Sequence, residues 1–163
     1  MTSLNVMRAG EGQKKVLARL LELYQYDLSD VTGKELAESG LYGYVYLDDY
    51  WREEGREAYL FLSEGKLAGF ALVNRYALLP ANQDAYSIAE FFVLKTHRRR
   101  SIGTAAAREI IRQHQGKWEI RVFAKNEGAI AFWRQVIREL GVEFVETLPG
   151  AELWQGVIFS FTL

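Results

Sequence analysis

The chain has no cysteine and only two histidines, His97 and His114. The first absence excludes disulfides, thiolate metal sites and a cysteine nucleophile. The second leaves too few imidazoles for a histidine-rich metal site, so no metal is expected. Net charge is close to neutral, at -1, so there is no bulk pull toward nucleic acid or an anionic membrane, and neither is expected as a partner. No apolar run approaches the roughly 20 residues of a membrane span. The N-terminus has no basic segment followed by an apolar one, so no signal peptide is read and a cytoplasmic location is expected. There is no GKS or GKT sequence, which excludes a P-loop, and no Rossmann fingerprint. What remains is ordinary globular composition: 163 residues, 49% apolar and 25% charged, enough for one domain over 1–163 with a real core.

Spacing along the chain predicts alternating strands and helices. A short strand at 3–7 ends before Gly10, and residues 11–26 carry Val16, Leu20, Leu23 and Tyr24 on one helical stripe. Residues 27–43 are turn-rich, with a short helix at 34–38. Residues 58–62 and 66–74 read as strands joined by Ser63-Glu64-Gly65, a hairpin signal. Residues 85–94 are apolar at both parities, as in a central strand covered on both faces. A helix at 103–114 and a strand at 118–123 follow. Asn126 caps a helix at 127–140 that Gly141 stops, and strands at 142–147 and 157–162 close the chain. Interspersed helices and strands argue for an α/β layered mixed sheet with helices on both faces. The last strand is apolar at both parities, so it pairs inside the sheet or with a second chain; monomer and homodimer both stay open.

The richest segment is 89–103, AEFFVLKTHRRRSIG, continued by Thr104. An apolar strand feeds a basic loop and then a turn that opens a helix. Free N–H groups at Ser101, Ile102, Gly103 and Thr104, the positive helix end, and the charges of Arg98, Arg99 and Arg100 suit one anion, a diphosphate. Thirty residues on, Asn126-x-x-Ala129-x-x-Phe132-Trp133 opens a helix that follows a strand.

The pattern Val93-x-x-x-x-Arg98-x-x-Ser101-x-Gly103 resembles the acyl-CoA-binding motif of the GNAT superfamily of N-acyltransferases. The shifted register Arg100-x-x-Gly103-x-Ala105 also satisfies the letters; the first keeps the family's distance from strand valine to arginine. Ser101 stands where the family commonly has glycine. Asn126, Ala129 and the aromatic pair Phe132-Trp133 match a second family element, in which asparagine contacts the cofactor and small and aromatic residues flank the pantetheine arm. The resemblance spans about residues 56–140, and the EFFV and FW signatures are similar to those of a group of predicted acetyltransferases. It implies a mostly antiparallel mixed sheet of about seven strands, acetyl-CoA as acyl donor, and pantetheine lying in a gap between splayed strands beside Phe91, Phe92 and Val93. An amine-bearing acceptor, a small molecule rather than a protein, is implied as partner.

Glu90 is the one charged residue in 85–94, with Ile88 and Phe92 on its face. A buried carboxylate is costly unless partnered. It is read either as a general base of raised pKa that deprotonates the ammonium acceptor, or as a structural partner of Arg121 on the next strand. The oxyanion would be held by a strand N–H around Phe92 or Val93. Trp133 occupies the place where many members of the family have a tyrosine general acid, and indole N–H is no useful acid. Either the thiol, with a pKa near ~8.5, leaves as thiolate, or another tyrosine replaces the acid. Tyr42, Tyr44, Tyr46, Tyr50 and Trp51 with Asp48 and Asp49 read first as packing and second as an aromatic, acidic rim for a cationic amine.

Overall fold

The structure is a computed structural model that describes residues 3–163; Met1 and Thr2, the start of the expected 1–163 domain, lie outside it. The strands are β1 (Leu4–Arg8), β2 (Glu57–Ser63), β3 (Lys66–Asn74), β4 (Tyr86–Val93), β5 (Lys117–Phe123), β6 (Phe144–Thr147) and β7 (Gly156–Thr162). The helices are α1 (Lys14–Thr32), α2 (Ile102–Arg112) and α3 (Glu127–Leu140). One seven-stranded sheet runs in the order β1-β2-β3-β4-β5-β7-β6. Every pairing is antiparallel except β4 with β5. No described helix is long and apolar enough to cross a membrane.

Helices cover both faces because both faces are apolar. Ile110, Ile111, Ala106 and Ala107 of α2 and Val136 and Ile137 of α3 bury against Phe61, Ala71, Val73, Trp118, Ile120 and Phe159. On the other face Leu17, Leu20 and Leu21 of α1 bury against Leu60, Phe70, Leu72 and Phe92. Each of the larger side chains among them contributes on the order of 2 kcal/mol of burial. β7 lies between β5 and β6, so its double-sided apolar pattern is satisfied inside the sheet, and the edges are β1 and β6.

Two local departures from the sequence reading matter for the site. The helix expected at 34–38 does not form; α1 instead runs on to Thr32, and Gly33 ends it in the left-handed conformation at φ 69°. Residues 34–46 then cross irregularly toward the sheet. In β4, the register against β3 slips: Leu72 faces Glu90 but Val73 faces Ile88, leaving Ala89 as the extra residue of a bulge. The bulge reverses the facing of everything before it. Ile88 therefore packs under α2 and α3, while Glu90 and Phe92 face α1, so Ile88 does not share the face of Glu90 as expected.

Candidate active site

β4 and β5 begin as parallel neighbours at Tyr86 with Trp118 and Ser87 with Glu119, and among the described residues they pair no further. Beyond Ser87 the two strands part. Leu94 N–H donates to Ala68 O at 2.8 Å. The alternation of an antiparallel ladder then gives Phe92 and Glu90 N–H to β3 as well, and turns the N–H groups of Phe91 and Val93 into the gap. Ladder parity thus separates the two residues that sequence could not: Val93 offers a free N–H and Phe92 does not.

The gap opens into a cleft of about 690 Å³, within the ordinary range for small-molecule sites. Its wall on the α3 side is formed by Asn126, Ala129 and Trp133. Asn126 caps α3, its side-chain oxygen accepting from Ala129 N–H at 3.2 Å. Trp133 stands edge-on to Phe91, with ring centres 5.1 Å apart, and Phe132 lies over the same ring at 5.5 Å.

At the end of β4 the chain makes a short 3-10 turn over Lys95–His97 and enters α2 through Arg99 and Ser101, both left-handed at φ 62° and 60°. Alternating handedness of this kind gathers backbone N–H groups into an anion-binding concavity. The N–H groups of residues 99–104 have no acceptor among the described residues, and Ser101 does not cap the helix with its side chain. Ser101 therefore holds a conformation that glycine adopts freely. Gly103 has a different reason to be small: a Cβ there would lie 3.2 Å from the Phe132 ring and 3.3 Å from Val93 Cγ2. Arg99 and Arg100 are exposed and make no ion pair among the described residues. Arg98 is otherwise engaged. Its guanidinium donates to Val93 O at 2.8 Å and to Asp27 of α1 at 2.7 Å, so it braces the turn from outside. A diphosphate would be held by the N–H groups of 99–104 and the charges of Arg99 and Arg100.

Glu90 lies on the α1 side of the cleft. Tyr44 O–H donates to its Oε1 at 3.2 Å, and the Tyr24 phenol lies beside it. Burial among these rings raises its pKa above the ordinary glutamate value; the two phenols and the more distant charges of Lys34 and Arg121 pull it partly back. Burial and the facing carboxylate push both tyrosines well above the usual phenol range, so each is a neutral donor. Arg121 does not pair with Glu90. It donates to Glu119 at 2.8 Å and to Tyr76 O at 2.8 Å.

The aromatic segment divides. Tyr44 and Tyr46 line the cleft, Tyr50 is buried, and Trp51 donates to Ala9 O at 2.9 Å. Asp48 pairs with Lys14 at 2.9 Å, and neither it nor Asp49 lines the cleft, so no acidic rim forms. Tyr24, Lys34, Arg56, Tyr76 and Trp154 reach the cleft without having been singled out as site residues. Only Tyr24 carried a signal, and its place on the α1 stripe read as core.

The family model of the acetyltransferase (GNAT) family matches residues 19–136. No curated protein sequence matches the chain. Among solved structures, the fold is similar to diaminobutyrate acetyltransferase from Paenibacillus lautus, with TM-score 0.64 and 20% identity over 99% of this chain and 96% of that one. A GNAT-family acetyltransferase from Staphylococcus aureus gives 0.65 and 15% identity over 99% of each chain. Spermidine N-acetyltransferase from Vibrio cholerae gives 0.64 and 11% identity over 98% of this chain and 95% of that one.

Proposed function

This chain belongs to the GNAT family of acetyltransferases, whose acyl donor is acetyl-CoA, and from that premise we propose that it transfers the acetyl group to a primary amine by direct attack in a ternary complex. The observation that carries this reading is the half-buried Glu90, held by the neutral Tyr44 phenol at the edge of the gap where β4 and β5 part. The donor supplies an acetyl group activated as a thioester. This chain's residues supply the remainder. The uncapped turn at 99–104 and the charges of Arg99 and Arg100 hold the diphosphate. Asn126, Ala129, Phe132 and Trp133 flank the narrow channel behind β4.

An alkylammonium with a pKa near ~10.4 cannot attack until it loses a proton. Glu90 takes that proton, directly or through one water. Its raised pKa makes it a stronger base than an exposed glutamate. As the N–C bond forms and the C–S bond breaks, the Phe91 and Val93 N–H groups face the oxygen that gains charge. Tyr24 and Tyr44 stand with Glu90 and Trp133 lines the cleft opposite, so the sulfur departs as thiolate and takes up the second proton that the nitrogen sheds as the amide forms. The acceptor is a small molecule. The cleft has the volume for one, and two proteins of this fold hold small amines, L-2,4-diaminobutyric acid in one and spermine in the other.

Titration with acetyl-CoA followed by thiol release against a panel of amines tests the reading. Micromolar binding with amine-dependent release supports it. Trp133 and Ser101 favour one alternative, a non-catalytic acyl-CoA-binding module, which binds the donor and releases no thiol with any amine.

A further inference from the structure

The cleft around Glu90 is basic. Lys34, Arg56 and Arg121 line it, against Glu90 as the one carboxylate among its lining residues. Their positions are set by the fold. Trp118, Ile120 and Val122 of β5 pack under α2 and α3, so Arg121 faces the opposite side of the sheet, the side of Glu90, across the gap. Arg121 lies over the Trp154 ring at 5.9 Å and is anchored by Glu119 and by Tyr76 O through Nη1, which leaves Nε and Nη2 without partners among the described residues. Glu119 is itself occupied by Leu78 N–H, Leu79 N–H and Asn82. Arg56 sits among the rings of Tyr46, Tyr50 and Tyr76, 4.6 Å from the last, with Nε on Glu53. Lys34 has no carboxylate partner among the described residues; its ammonium donates to Gln25 at 2.6 Å.

A guanidinium fixed from behind, with donors left over, suits a carboxylate. A plain monoamine or polyamine would bring only positive charge toward Lys34, which has no carboxylate partner among the described residues, and toward the donors that the partnered Arg121 has left over. Resting on the proposal that the cleft accepts an amine at Glu90, we propose that the acceptor also carries a carboxylate: its ammonium goes to Glu90, and its carboxylate goes to Arg121 with Lys34 at the mouth. The acceptor class is a free amino acid or a related small amino carboxylate. The aspartates 48 and 49, which the sequence offered as a cation-binding rim, are turned away, and the rim that forms is aromatic and basic.

The experiment compares each amino acid with its own decarboxylated amine: L-alanine with ethylamine, L-phenylalanine with phenethylamine, L-ornithine with putrescine. Thiol release is followed at saturating acetyl-CoA, and binding to the CoA-loaded protein is followed by calorimetry. At least one amino acid is expected to exceed its amine in kcat/KM by about 10- to 100-fold, the range for a hydrogen bond to a charged partner. Lys34→Ala and Arg121→Gln should raise KM for the acid with little change in kcat, and Lys34→Arg should restore it. Lys34 is exposed and outside the core, so its variant reads recognition even where Arg121→Gln disturbs Glu119. Amines used as well as their parent acids overturn the proposal and leave the transferase reading standing. Acetyl-CoA binding with no transfer to either set overturns the transferase reading; calorimetry then decides the carboxylate preference, and equal or absent binding of acid and amine overturns that too.

Discussion

Two glutamates on neighbouring strands, Glu90 of β4 and Glu119 of β5, face the same side of one sheet and meet opposite fates. Glu119 is closed off from solvent and accepts from Leu78 N–H, Leu79 N–H, Asn82 and Arg121. Burial alone would raise its pKa, but this set of donors carries it below the ordinary value. Glu90 has the Tyr44 phenol as its donor, the Tyr24 phenol beside it and no cation in contact; desolvation outweighs them and its pKa rises. The number and charge of its donors decide in which direction a desolvated carboxylate's pKa moves. Glu119 closes the site from behind and fixes Arg121, while Glu90 is left with proton affinity to use.

The comparison breaks most sharply if Glu90 is dispensable. Glu90→Gln should lower kcat by about 10²–10⁴, the worth of a positioned base, with acetyl-CoA affinity unchanged by calorimetry. A loss below about twofold would return Glu90 to a structural role. Glu119→Ala should instead cost about 3–5 kcal/mol, because Arg121 and the turn N–H groups lose a buried partner. That is a fall in melting temperature on the order of 10 °C for a chain of this size.

Stability against pH separates the pair by sign. Glu90 binds its proton more tightly folded than unfolded, so its contribution is present at low pH and is lost as pH rises through its raised value. Glu119 behaves oppositely: its contribution is present above the unfolded value and is lost as pH falls through its depressed one. Glu90→Gln should therefore melt higher than the parent at pH 8, with the gain vanishing below about pH 4, where glutamate is protonated in either state. Equal melting temperatures across that range would show that Glu90 is not desolvated.

A finer test removes one donor. Tyr44→Phe should move the acid limb of kcat/KM to higher pH, since the phenol favours the ionised carboxylate. An unmoved limb would assign that limb to another group. The smallest effect lies away from both glutamates. Ser101→Gly relieves a left-handed serine and should stabilise the protein by about 1 kcal/mol, with acetyl-CoA binding retained or tightened. Loss of binding would mean the serine hydroxyl, and not only the backbone, takes part.

Much of the fold was legible because its signals are local. The hairpin at Ser63-Glu64-Gly65, the cap at Asn126 and the stop at Gly141 all fall where composition put them. The basic turn was legible for the same reason, since strand, loop and helix N-terminus are contiguous. The bulge at Ala89 was not, because an extra residue in a strand shows only against its partner, and it alone decides that Glu90 faces α1 rather than joining Ile88. The pairing of Arg121 with Glu90 that the sequence suggested does not form; Arg121 pairs with Glu119, two residues away on its own strand.

By itself the sequence determined the element order, the two apolar faces and the basic turn that opens α2, because periodicity, capping and turn chemistry act over a few neighbouring residues. The tertiary structure alone decided the cleft: where β4 and β5 stop pairing, which N–H groups are left free, and which tyrosines and cations line it with Glu90. Those depend on register between strands and on loops packed across them, and the partners stand tens of residues apart in the chain.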